Sequence, residues 1–242
     1  MFFGDYLKKD ETELERRLAH FNKKCKCPNC NNEPDEQKTR KFKCKNCQQY
    51  VFVKKNNDNF YYLTEQQSEE MEYIKKFVSF KYKNFNKLVN CGYDKEILLE
   101  EFNNSYIVTF EPLKEFIWSK FNFLLESPTT KPHQFSLIYP SMANFSKEEG
   151  NHEQVIEFRK LALDSQLNEN RRFLNYQYFE VECVILSVSG TECEKYDNTV
   201  IELEKLFENP PLPHKTIEFD SCRCRYGFRP KKDSEGDWLL KL

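Results

Sequence analysis

Apolar residues change period several times along the chain, and each change predicts an element. Leu14, Leu18 and Phe21 recur at helical spacing, and Asp10 with Glu13 makes a D-x-x-E capping pattern, so a first helix is expected over residues 11–23. The segment QQYVFVKK then alternates Tyr50 and Phe52 with Val51 and Val53 and reads as a strand; NNDN supplies a turn and FYYL a second short strand. Thr64 and Gln67 form a capping box that opens a long helix, along which Met71, Ile74, Phe77, Val78 and Tyr82 make a core-facing stripe. Asp94 is the expected N-cap of KEILLEEF, and Pro112 sits in the first turn of PLKEFIWSKFNFLLES.

Two further helices are expected over HQFSLIYPSMANFSKEE and NHEQVIEFRKLALDSQL, the first bent or broken at Pro140. The pair resembles one tetratricopeptide hairpin, with small Ala143, a turn at Gly150 and Asn151, and Val155, Ile156, Leu161, Ala162 and Leu163 on its second helix. One such unit is too few for a solenoid, so it is expected to pack into a larger bundle. Past residue 178 the β-branched run FEVECVILSVS predicts a strand, followed by a compact tail. The fold class is therefore α+β: an N-terminal helix with cysteine-bearing β-hairpins (1–63), a mainly α-helical, TPR-like body (64–176) and a small α+β tail (177–242).

Charge changes this picture by separating the two ends. Residues 1–60 hold 14 Lys/Arg against 9 Asp/Glu, whereas residues 61–242 hold 23 against 30. A basic module on an acidic body fits binding to nucleic acid, or pairing with another copy's acidic body in a homodimer. No run reaches the roughly 20 apolar residues of a membrane span, and the opening residues do not read as a signal peptide, so a cytoplasmic protein without membrane contact is expected.

Cysteine carries the clearest chemistry. Cys27, Cys30, Cys44 and Cys47 form C-P-N-C, thirteen residues, then C-K-N-C. Each C-x-x-C turn can aim two sulfurs at one ion, and zinc favours four tetrahedral thiolates, so these residues are the predicted Zn2+ ligands, with the intervening segment expected to be a β-hairpin. Four protein ligands leave no position for water, which makes the site structural. Cys25 is a spare neighbour that the spacing disfavours, while Cys91 and Cys183 read as core residues. Lys38, Arg40, Lys41, Lys43, Lys45, Lys54 and Lys55 surround the predicted metal, interleaved with Phe42, Tyr50 and Phe52, and form the candidate nucleic-acid or partner-binding face.

The stretches CPNC, KTRKFKCKNCQQYVFVKK and YYLTEQQSEEM resemble the zinc-ribbon region of uncharacterised bacterial and phage proteins. The tail, VECVILSVSGTECEKYDN through NPPLPH to SCRCRYGF, resembles the cysteine-containing ending of the same proteins and of phage head-morphogenesis proteins, with a C-x-x-C, a P-L-P and a final C-R-C. That resemblance spans about residues 25–75 and 181–228 and implies architecture more than activity. This chain has Tyr196 where the C-x-x-C pattern places its second thiol. A second Zn2+ would then take Cys193, His214, Cys222 and Cys224; packing of reduced cysteines is the alternative.

No Gly-rich phosphate loop, G-x-S-x-G or H-E-x-x-H is present, and carboxylate runs such as Glu69, Glu70 and Glu72 or Glu148 and Glu149 read as solvated helix faces. The expected role is a non-enzymatic zinc-binding accessory or scaffold protein. It would bind, and in one form dimerise, a larger nucleic-acid-handling or antiviral effector, for example an RNA-guided nuclease in a bacterium or mobile element. A direct nucleic-acid-binding regulator and a phage-like assembly protein are the alternatives.

Overall fold

The computed structural model describes residues 13–21, 25–57, 59–174, 178–188, 192–208, 211, 212, 222 and 224–240. Asp10, Asp58 and His214 lie outside the described residues, so the capping role of Asp10 and the ligand role of His214 are not addressed by it. By compactness the chain forms two units: residues 1–84 with 108–113, and residues 85–107 with 114–242. The division cuts the long second helix instead of preceding it.

In the first unit, residues 13–18 form helix α1, and three antiparallel strands follow: β1 (Phe42–Lys43), β2 (Tyr50–Asn56) and β3 (Asn59–Leu63), in the order β1-β2-β3. Phe52 pairs with Leu63 and Val53 with Tyr62, so the strand period of two sorts side chains onto opposite faces. One face, with Phe52, Tyr61 and Leu63, packs against Leu18 and Phe21 near α1 and Met71 and Ile74 of helix α2 (Glu65–Asn90). The other, with Val51, Val53, Phe60 and Tyr62, packs on the cysteines at 27, 30, 44 and 47. The sheet is a partition with a helical core on one side and a sulfur cluster on the other. The Thr64–Gln67 capping box forms in both directions, at 3.2 and 3.0 Å, and starts α2 directly after β3.

Glu13 does something its capping pattern does not predict. Its carboxylate is buried against Lys81 of α2, and also accepts hydrogen bonds from Tyr82 Oη at 3.0 Å and Arg17 Nε at 3.0 Å. Burial pushes the Glu13 carboxyl upward, but the Lys81 ammonium and the other donors outweigh it and hold the group below the ordinary carboxylate value. This ion pair ties two helices that are far apart in sequence.

In the second unit, α2 stops where Gly92 adopts φ +104°, allowing Tyr93 N–H to return to the Leu88 carbonyl at 3.0 Å. Asp94 then caps helix α3 (Lys95–Asn104), accepting from Glu96 N and Ile97 N at 2.9 Å each. Helix α4 (Phe110–Glu126) crosses between the units in sequence, with Pro112 in its first turn. Helices α5 (Pro132–Glu148) and α6 (His152–Leu174) form the expected hairpin, turned by Gly150 at φ +78° and capped by Asn151 Oδ1, which accepts from Gln154 N at 3.2 Å. Of the bend or break expected at Pro140, the break does not occur: α5 runs continuously through it. Proline removes a single backbone bond there, to the Ser136 carbonyl, and buried Ile138, Met142 and Ala143 hold the helix on both sides of it.

The tail is α+β as expected. Strand β4 (Val181–Leu186) lies between β5 (Val200–Ile201) and β6 (Arg225–Pro230), all antiparallel, with a 3-10 turn at Glu192–Tyr196 and helix α7 (Leu203–Glu208). No helix among the described residues is long and apolar enough to cross a membrane.

Replacing Glu13 by Ala leaves Lys81 buried without its main counter-charge and is expected to cost about 3–5 kcal/mol in chemical denaturation, whereas Glu13→Leu with Lys81→Met should be close to neutral. Because the folded-state pKa of Glu13 is lowered, its contribution is complete above the unfolded value of about 4.3 and is lost as pH falls through the folded value. The stability difference between wild type and Glu13→Ala should therefore shrink on acidification below about pH 4.3.

Candidate metal centres

The first centre is built from two turns of the same construction. In each, the first cysteine N–H donates to the carbonyl five residues on (Cys27 to Asn32, 2.9 Å; Cys44 to Gln49, 2.8 Å). Its own carbonyl accepts from the residue four on (Asn31, 2.8 Å; Gln48, 2.9 Å). Closing so tight a loop puts that fourth residue in the left-handed region, with φ +58° at Asn31 and +59° at Gln48. The turn leaves backbone N–H groups pointing at sulfur: those of Asn29 and Cys30 at Cys27, that of Asn32 at Cys30 and that of Gln49 at Cys47.

Strand pairing brings the turns together. Residues 44–49 link β1 to β2, and Cys27 and Cys30 fold over the same sheet face, so the sulfurs of Cys27, Cys30, Cys44 and Cys47 all lie within 4.8 Å of one another. The Cys27–Cys47 and Cys30–Cys44 separations are 3.6 and 3.7 Å. A disulfide needs about 2.05 Å, whereas the edge of a tetrahedron with metal–sulfur bonds of about 2.3 Å is about 3.8 Å. These four residues can therefore hold one metal ion as a closed set. Among the thiols themselves the acidity is uneven. Cys30 is pulled down to about 6, first by the Asn46 side chain and then by Asn32 N–H. Cys47 is pushed up to about 12: Gln49 N–H favours its thiolate, but burial and the adjacent sulfurs outweigh that bond.

The segment between the cysteine pairs departs from the expected hairpin. Only Phe42 and Lys43 are strand, and residues 31–41 form an irregular loop. Asn31 through Arg40 offer almost no alternating apolar residues, so there is nothing to bury on a second sheet face. Tyr62 anchors this loop instead: its hydroxyl accepts from Lys38 N at 2.5 Å and donates to Lys38 O at 3.0 Å. Cys25 stays outside the tetrad, its sulfur 3.8 Å from the Phe60 carbonyl.

The basic face is partly neutralised from within. Lys45 pairs with Asp35 at 2.5 Å, Lys26 with Glu33 at 2.8 Å, Lys38 with Glu36 at 3.4 Å and Lys54 with Glu72 at 2.9 Å. Lys41 takes a different position, with its ammonium 4.6 Å from the Tyr50 ring centre and 4.3 Å from that of Phe52, and Tyr50 is 57% exposed. Arg40, Lys43 and Lys55 are exposed, and the Lys55 ammonium lies 5.7 Å from the Phe60 ring centre.

The second group lies in the tail. The sulfurs of Cys193, Cys222 and Cys224 are within 4.8 Å of one another, and all three residues are buried. Cys193 comes from the 3-10 turn, and Cys222 and Cys224 from the chain entering β6. Leu206, Leu212 and Tyr226 share their core. Burial first, and then the sulfurs of Cys193 and Cys222, raise the Cys224 thiol. This group too can hold a metal ion. Cys91 and Cys183 are buried core residues, as expected.

Several functional contacts left little trace in the pattern. The Tyr62 anchor is hidden in an ordinary strand, and Glu70 to His20, Glu148 to Lys87 and Glu149 to Trp118 show that the acidic runs serve as ties as well as solvated faces. Comparison with protein-family models, curated proteins and solved structures finds no match to this chain.

The left-handed turn positions make a direct check. Gln48→Gly should raise the unfolding free energy of the metal-loaded protein by about 0.5–1 kcal/mol, and Gln48→Val should lower it by at least as much, both read from denaturation midpoints.

Proposed function

We propose that this chain is a zinc-organised accessory protein that binds a larger nucleic-acid-handling or defence effector through its ribbon, rather than an enzyme. The observation that carries the reading is the tetrahedral spacing of the four sulfurs at 27, 30, 44 and 47. Zinc suits this all-thiolate set, and four protein ligands fill its coordination shell, so the ion's role is to fix the loop and the β1-β2-β3 sheet. Cys27, Cys30, Cys44 and Cys47 would release their thiol protons on binding, and the turn N–H groups would then stabilise the thiolates.

Fixing the sheet also fixes the surface beside it. The pairing of Lys26, Lys38, Lys45 and Lys54 with carboxylates lowers the net field that a phosphate backbone would meet, which favours a protein partner. A dimeric scaffold belongs to the same reading, since a basic ribbon on one copy and an acidic body on another are complementary in sign. One feature favours direct nucleic-acid binding as a second reading: exposed Tyr50 beside the Lys41 ammonium offers a stacking surface and a cation together.

Capture of the partner from native extract treated with nuclease separates these readings. Wild-type protein should retain the same partner after nuclease treatment, and Cys44→Ser with Cys47→Ser should lose both the ribbon metal and the partner. Undiminished capture by that variant, with its ribbon shown to be metal-free, would overturn the proposal. Capture that disappears with nuclease, together with a salt-sensitive shift of single-stranded nucleic acid weakened by Tyr50→Ala, would establish the second reading in its place.

A further inference from the structure

We infer that Cys193, Cys222 and Cys224 form a second site for a thiophilic divalent cation, held by three thiolates in the tail and independent of the ribbon. Three features of this region distinguish it from ordinary core packing of cysteine as a small apolar residue.

The first is convergence. Cys222 and Cys224 lie two positions apart just ahead of β6, and both are buried in the same core. Cys193 meets them from a separate 3-10 turn, and the three sulfurs fall within 4.8 Å. Apolar packing needs no such meeting of sulfurs. Buried Cys183, in the same core, stands outside the triad.

The second is support. Arg159 of α6 donates to the Cys222 carbonyl at 3.0 Å, Gln166 of α6 donates to the Tyr226 carbonyl at 3.0 Å, and Tyr226 Oη accepts from Leu212 N at 3.0 Å. The chain carrying two of the ligands is thereby fastened to a long helix. A site of this kind is assembled before the ion arrives, which reduces the ordering cost of binding.

The third is charge and access. A cavity of about 560 Å³ is lined by Cys222 and Cys224 together with Arg159, Arg225, Asn144 and Gln166. Three thiolates around a divalent ion carry one net negative charge, and the same cavity is lined by two guanidinium groups and the Glu169 carboxylate, an excess of one positive charge. The cavity also gives an ion a route to two of the sulfurs. Unlike the closed ribbon tetrad, three protein sulfurs leave a fourth position, which either a residue of this chain or a solvent ligand would fill.

Cadmium binding by the full-length reduced protein tests this without a mutation. Loaded to saturation with 113Cd, the wild-type chain should show two thiolate-region NMR resonances, one for each cysteine group, and zinc-loaded protein should carry two ions per chain in native mass spectrometry. Cys222→Ser with Cys224→Ser should remove one resonance and one zinc and leave the ribbon signal in place. Loss of the ribbon signal alone in Cys27→Ser with Cys44→Ser would show that the two centres fail independently. Retention of the second resonance in His214→Ala assigns the fourth position to solvent, and its loss assigns that position to His214; either result supports the thiolate site. A single resonance and a single zinc in the wild-type protein, or a mass two units low from a disulfide within the triad in protein kept reduced, would overturn it.

Discussion

One face of the sheet in the first unit rests on four sulfurs brought to about van der Waals contact. Left as thiols they fill space poorly and offer weak hydrogen bonds; as thiolates around one cation they become the strongest cross-link available to so small a module. The sheet that carries them is short, with only two residues in β1, and a sheet of that size is marginal on its own. Its other face is covered by α1 and α2, so the helical core and the sulfur cluster support the sheet from opposite sides. Removing the helical cover exposes Tyr61 and Leu63, and removing the sulfur cluster exposes Val51 and Tyr62, all nearly inaccessible in the folded protein.

The second unit uses other means to the same end. Its hairpin of α5 and α6 is closed by a glycine turn and an asparagine cap, and Trp118, Phe121, Phe145 and Phe158 form a connected aromatic cluster beside it. The small β4-β5-β6 sheet is fastened to α6 by Arg159 and Gln166. Both units therefore pair a small antiparallel sheet with helices and pack a cysteine cluster against the sheet. In the first unit the cluster is a tetrad, and in the tail it is a triad among the described residues.

What the sequence made legible was local. The capping box at Thr64 and Gln67, the cap at Asp94, the alternation of β2 and the C-x-x-C pairs each involve residues a few positions apart, where geometry follows from the chain itself. What it hid was either distant or contingent. Glu13 and Lys81 lie 68 residues apart, and nothing near either one announces a buried partner. Pro140 predicts a bend or a break, yet α5 runs on through it, where buried neighbours on both sides outweigh one lost hydrogen bond. The loop over residues 31–41 was read as a hairpin from its length alone, although its composition offers no second face to bury.

The central claim is that a metal held by Cys27, Cys30, Cys44 and Cys47 maintains the sheet. Hydrogen exchange of the full-length protein before and after treatment with a strong chelator measures this most directly. The account predicts that amides of β2 and β3, across Tyr50–Leu63, lose most of their protection on chelation and regain it when zinc is restored. Unchanged protection of those strands in protein shown to be metal-free would contradict it.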